Sequence, residues 1–154
     1  LALMKNDTFT KAVETIAGEC LAVRVRLLNR TVTNIYDDAL RPLGVKVSQL
    51  NVLIVVALGG PISPGEVARQ LNIEKSTLSR NVDRMRAHGW LTVSSGDTAR
   101  QQILKIGAAG RKLIEEALPL WKKAQAQTEA MLGKPGAGSI HRAVDSVRAQ
   151  LGRN

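Results

Sequence analysis

Apolar residues recur every three or four positions through Leu21, Val25, Leu28, Val32, Ile35 and Tyr36, and no proline interrupts the stretch from Phe9 to Leu40. Such spacing winds one stripe around an α-helix, so it predicts a single long helix with one buried side. Arg41-Pro42-Leu43-Gly44 ends it, because proline lacks an amide donor and turns the residue before it away from helix. Ser48 is then the expected cap of a short helix, Gln49 to Leu58, closed by Gly59-Gly60-Pro61. Its run Val52-Leu53-Ile54-Val55-Val56 is apolar on both faces, which places it at the centre of the fold.

Ser63-Pro64-Gly65-Glu66 is the sharpest start signal in the chain, with a capping hydroxyl, a proline at the first helical position and a glutamate at the third. It opens a short helix through Leu71. After Asn72-Ile73-Glu74 a second helix runs from Lys75 to His88 and stops at Gly89, so the pair reads as a helix-turn-helix. From Trp90 the period changes to two. Leu91-Thr92-Val93-Ser94 and Gln101-Gln102-Ile103-Leu104-Lys105-Ile106 are the strands of a hairpin around Ser95 to Arg100, placed as a wing. A long helix from Ala108 to Leu132 follows, with Leu113, Ala117, Leu120 and Ala124 on one face and a bend expected at Pro119. Gly133 to Gly138 reads as a linker, and Ile140, Val144, Val147 and Leu151 stripe a final helix.

These elements predict a mainly α fold with a small β-hairpin wing. Its 154 residues suit one domain, in which a winged helix-turn-helix lobe at 45–107 lies between helical segments 8–42 and 108–152. Aromatic residues are only 3%, so the core must be aliphatic. One cysteine cannot form an internal disulfide, and with two histidines it cannot complete an ordinary four-ligand zinc site, so neither metal nor cofactor is expected. No apolar run approaches the roughly 20 residues of a membrane helix, and Leu1 to Asp7 is too short and too soon polar for a signal peptide. The expected location is a reducing cytoplasm.

Charge narrows the partner. Twenty-two Lys and Arg face 13 Asp and Glu, and the resulting +9 favours a polyanion through release of condensed counterions. At about 100° per residue, Leu78, Val82 and Met85 fall on one narrow side of the second short helix, and Ser76, Thr77, Arg80 and Arg84 fall together on the other. A helix lying in the major groove of duplex DNA needs this division: an apolar keel, short hydroxyls near its start, and arginine for guanine O6 and N7. A merely solvated polar face has the same pattern. In the hairpin, Gly96 and Asp97 supply a turn and Arg100 leaves it, placed either to enter a minor groove or to pair locally with Asp97.

The order of helices, Ser63-Pro64-Gly65-Glu66-Val67-Ala68, the run Leu71 to Met85 and His88-Gly89-Trp90-Leu91 together resemble the MarR family of bacterial transcriptional regulators, over about Leu21 to Leu132. The resemblance implies a winged-helix homodimer with interlocked terminal helices, bound to a pseudo-palindromic operator, usually as a repressor that answers to a small-molecule effector. By position it implies a DNA-facing set of Ser63, Lys75, Ser76, Thr77, Ser79, Arg80 and Arg84, with Asp97 and Arg100 from the wing. The chain departs from the family pattern twice. Asp97 precedes Arg100 by three residues where two are usual, and Ile106-Gly107 stands where Leu-Thr is common.

The stripes Leu113, Leu120, Ile140, Val144, Val147 and Leu151 exceed what the small winged-helix core covers, and a second copy of the chain is their expected partner. Cys20, among Ile16, Ala17 and Leu21, is expected to pack as a small soft residue. The alternative is an oxidant-sensing thiol, as in some relatives of this family, with Arg24 and Arg26 nearby. No enzyme is expected, since neither His88 nor His141 has the context of a catalytic base and no Gly-rich phosphate loop is present. A winged helix serving only as a protein-interaction module is the remaining alternative, separable by salt-dependent duplex binding.

Overall fold

The computed structural model describes residues 2–98 and 101–152, with side chains from Asp7 onward. Two compact units, Leu1–Asn34 and Ile35–Asn154, divide within a helix. In the first unit, α1 (Ala2–Glu19) is followed by the start of α2 (Leu21–Leu40), so the expected single helix is two, separated at Cys20. Gly18 explains the break in part: glycine weakens a helix, and its carbonyl here accepts from the Arg24 guanidinium. Phe9, Val13 and Ile16 line one exposed face of α1, and Leu21, Val23, Val25 and Leu27 are exposed on α2.

The second unit begins with the last turns of α2, where Tyr36 and Leu40 are buried. Tyr36 Oη donates to Gln125 Oε1, and burial pushes its phenol above the ordinary value. A 3₁₀ turn at Arg41–Leu43 ends in Gly44 at φ 65°, a left-handed conformation that favours glycine. It aims the chain into α3 (Val47–Gly59). Ser48 does not cap this helix. The Val47 amide donates instead to Asp37 Oδ1 of α2 at 2.8 Å, and the Lys46 amide to Gln49 Oε1 at 3.0 Å. A carboxylate on the previous helix thereby satisfies one orphan donor at the end that sequence assigned to a local hydroxyl.

Leu50, Val52, Leu53 and Val56 of α3 are buried at the centre, as the two-faced apolar run predicts, while Ile54 remains partly exposed. Around α3 pack α4 (Pro64–Leu71), α5 (Lys75–Ala87) and the antiparallel pair β1 (Leu91–Ser95) and β2 (Gln102–Ile106). The strands pair Leu91 with Ile106, Val93 with Leu104 and Ser95 with Gln102, and Ile62 adds a two-bond bridge to Leu104. The shared core is aliphatic as composition required, with Leu40, Leu53, Leu78, Met85, Leu91 and Leu104 fully buried and Trp90 the only tryptophan in it.

The long helix α6 (Ala108–Leu151) leaves the hairpin through a close backbone approach. The Gly107 amide donates to Trp90 O at 2.9 Å, and a Cβ at Gly110 would stand 2.2 Å from that same oxygen, so only glycine fits. Leu113, Ala117, Ala124 and Thr128 form the buried side of α6. Dihedrals stay helical through Pro119. The interruption falls at Gly133 (φ 68°, ψ 159°), and helix resumes directly after it. The expected linker of six residues is therefore a kink of one, because Pro135 sits in the first turn of the resumed helix, where its missing donor costs nothing.

Candidate nucleic-acid interface

The start of α4 forms as its residues dictate. Ser63 Oγ accepts from the Glu66 amide at 3.2 Å, and Pro64 takes the first helical position. Glu66 does not reach back to complete a capping box. Its carboxylate receives Arg69 Nε at 2.9 Å and Nη2 at 2.5 Å and Gln70 Nε2 at 2.8 Å, and these bonds, that from Arg69 foremost, lower its pKa to about 2. Asn72 then adopts φ 50°, ψ 50°, a left-handed state that asparagine tolerates, and the Ile73 amide returns to Ala68 O at 3.0 Å. The chain turns tightly enough for α5 to start three residues later.

On α5 the division expected from the helical projection is present. Leu78, Val82 and Met85 are buried to 1%, 7% and 0% exposure, while Lys75, Ser76, Thr77, Ser79, Arg80 and Arg84 all lie at the surface. Hydroxyls thus occupy the first turn and guanidinium groups the next two. Arg80 Nε donates to Ser76 O at 3.3 Å, which holds the side chain along its own helix. Arg84 and Arg86 occupy the last turn, where cations also suit the helix dipole. Ser63 is half-buried and already serves as a cap. Asp97 is exposed in the bend after β1. Arg100, the expected wing arginine, lies outside the described residues.

Between α5 and the hairpin runs a groove of about 200 Å³. Lys75, Ser79, Asp83 and Arg86 form its α5 wall, Val93 and Gln102 its strand wall, and Pro64 and Gly65 of α4 close one end. Asp83, Arg86 and Gln102 were absent from the set read from sequence. The signal for Asp83 was available, because seven residues after Ser76 bring it to within about 20° of the same side of the helix. Gln102 had none, since its place depends on how the hairpin folds against α5.

Cys20 is partly exposed, and its neighbours Ile16, Ala17 and Leu21 are exposed. Among the described residues no three His, Cys, Asp or Glu side chains form a metal cluster, and no single helix is long and apolar enough to cross a membrane.

The sequence profile of the MarR family matches residues 43–101, from the end of the 3₁₀ turn to the residue before β2. The uncharacterized HTH-type transcriptional regulator YwoH of Bacillus subtilis is 28% identical over 87 residues, 56% of this chain. The multiple antibiotic resistance protein MarR of Salmonella typhimurium is 24% identical over 93 residues, 60% of this chain. The chain spans 64% and 65% of the lengths of these two relatives. Among solved structures, the M. tuberculosis transcriptional regulator MosR in complex with DNA is 31% identical, with a TM-score of 0.70 over 84% of this chain and 99% of its own. A mutant MarR from E. coli complexed with operator DNA shares the fold at 18% identity, with a TM-score of 0.77 over 86% and 96% of the two chains.

Proposed function

Because this chain belongs to the MarR family of helix-turn-helix transcriptional regulators, we propose that it binds duplex DNA sequence-specifically as a homodimer and acts as a repressor released by a small-molecule effector. The observation that carries the reading is α5 itself, in which Ser76, Thr77, Arg80 and Arg84 are exposed over the buried keel of Leu78, Val82 and Met85. Short hydroxyls suit phosphate oxygens and base edges, and arginine presents the fork that matches guanine in the major groove. The net charge of +9 supports a polyanionic partner, and MosR and the E. coli MarR mutant were both seen on DNA. The repressor and effector parts rest on family resemblance, as does a place in the cytoplasm.

Two-fold symmetry in the protein requires it in the target. Two copies of α5 reach successive major grooves when their half-sites lie about 10–10.5 base pairs apart, so the operator is an inverted repeat. Selecting genomic fragments on the purified protein, then titrating the enriched sequence across a salt series, tests the reading. Expected are an inverted repeat and an affinity that falls steeply with salt. Recovery of no common sequence, with equal binding to any duplex, would favour an interaction module over a regulator.

A further inference from the structure

Two hydrogen bonds leave neighbouring residues in the last turns of α2 in different directions. Tyr36 Oη donates to Gln125 Oε1 of α6, and Asp37 Oδ1 accepts from the Val47 amide at the start of α3 at 2.8 Å. Consecutive residues project about 100° apart around a helix, so one place on α2 faces two neighbours at once. Neither contact belongs to the aliphatic core that surrounds α3. Tyr36 is buried outside that cluster, its ring 6.4 Å from that of Trp121, and Asp37 is half-buried.

Chemistry fixes the sense of each bond. Gln125 Nε2 donates to Glu129 Oε1 at 2.7 Å, which turns the amide oxygen toward Tyr36 and makes the phenol the donor. The residue before α3 is Lys46, whose ammonium only donates, so the Val47 amide takes its acceptor from α2. Arg41 pairs with Asp38, which leaves the Asp37 carboxylate to that amide. A helix held at one height on two sides cannot roll about its axis without breaking a tie. Apolar packing is non-directional and fixes distance more than rotation, whereas hydrogen bonds weaken steeply when turned. α3 carries α4 and α5 through the common core, so rotation at α2 is passed to the face of α5. We propose that Tyr36 and Asp37 are positioning residues for DNA recognition: together they set the rotation of the helix-turn-helix lobe against α2 and α6, and through it the half-site spacing that the protein accepts.

The proposal rests on the reading that two copies of α5 bind an inverted repeat, and the experiment separates the two. One base pair added or removed between half-sites turns the second by about 35° and moves it by about 3.4 Å, so spacing discrimination measures how rigidly the lobes are held. Wild type, Tyr36→Phe, Asp37→Asn and Asp37→Ala are titrated by fluorescence anisotropy against the genomically selected operator, the same operator with one base pair inserted or deleted, and a scrambled duplex. Each protein is also used to select from a library randomised within the half-site. Wild type should bind the altered spacings more weakly by about tenfold or more, as after loss of one good base contact. Tyr36→Phe and Asp37→Ala should each shrink that ratio by about threefold or more, the scale of one hydrogen bond, with base preferences unchanged. Asp37→Asn should keep the wild-type ratio, because its amide oxygen still accepts from Val47. A general loss of stability weakens binding to every duplex alike. An unchanged ratio in Tyr36→Phe and Asp37→Ala would therefore overturn the positioning role whatever their melting temperatures, as would an Asp37→Asn that behaves like Asp37→Ala. If circular dichroism shows Asp37→Ala unfolded, Tyr36→Phe, which keeps the buried ring, decides alone. Operator preference in wild type without spacing discrimination would overturn the proposal and leave DNA recognition standing. A wild-type protein without any operator preference would overturn both.

Discussion

Arg80 and Arg84 share one exposed face, and under the proposed function their different heights along α5 predict different work. Arg80 lies nearer the helix start, where a major-groove helix comes closest to the bases, and a good bidentate contact discriminates by about 1–3 kcal/mol. Arg80→Ala should therefore weaken operator binding far more than scrambled binding. Arg84, a turn farther on, is expected to meet a phosphate, and Arg84→Ala should weaken both duplexes alike and flatten the salt slope by about one unit. Fluorescence anisotropy on both DNAs checks the pair, and equal losses for Arg80→Ala would assign base reading elsewhere. Glu66 makes a separate statement about pH. Its pKa falls from an ordinary 4.5 to about 2, so its contribution to stability is complete above about 4.5 and disappears as pH drops through about 2. Thermal melts between pH 5 and 2 should accordingly converge for wild type and Glu66→Gln at the acid end. A gap that widens toward low pH would show the sign to be wrong.

Elements form here partly from local chemistry and partly from contacts that sequence does not announce. The cap at Ser63, the turn at Asn72 and the keel of α5 were legible because each depends on residues within four positions of one another. The capping of α3 by Asp37 was not, since it needs α2 and α3 already docked across ten residues. Neither was the glycine seam joining the end of α5 to the start of α6, where Gly110 in a helical stretch looks like a simple weakness. The contacts around it give it a packing role. A methyl group at Gly110 would stand 2.2 Å from Trp90 O and 2.8 Å from Ile106 Cδ1, so Gly110→Ala should destabilise by about 1–3 kcal/mol through overpacking. At Gly138 the nearest atom is the flexible tip of Arg142 at 3.3 Å, and Gly138→Ala should be neutral or stabilise by up to about 1 kcal/mol. Denaturant melts of the two variants test opposite signs for one substitution, and similar destabilisation at both would remove the seam's special status.

Large apolar residues are exposed on α1 and, separately, on the resumed part of α6. Phe9, Val13 and Ile16 repeat at helical spacing on α1, and Val144, Val147 and Leu151 do so on the resumed part of α6, with 43%, 53% and 58% of the last three exposed. A lone stripe of this kind is ordinary, but two in one chain are costly to leave in water, and full burial of each aliphatic side chain stabilises by roughly 1.5–3 kcal/mol. A second copy presents the same stripes and so supplies a partner for them without any other molecule. If the stripes make the dimer, then a carboxylate placed within the α6 stripe must be desolvated on association while remaining harmless in the monomer, where it faces solvent. Val144→Asp and Leu151→Asp should each weaken self-association by tenfold or more, an effect of about 1.4 kcal/mol at the least. If one α5 alone reads only a half-site, as the proposed function has it, operator affinity should fall in step. Sedimentation velocity at micromolar concentration, paired with far-ultraviolet circular dichroism, distinguishes loss of the dimer from loss of the fold. A double variant that sediments as a dimer, or a folded monomer that binds the full operator as wild type does, would place the dimer contacts outside this stripe or make the dimer unnecessary for recognition.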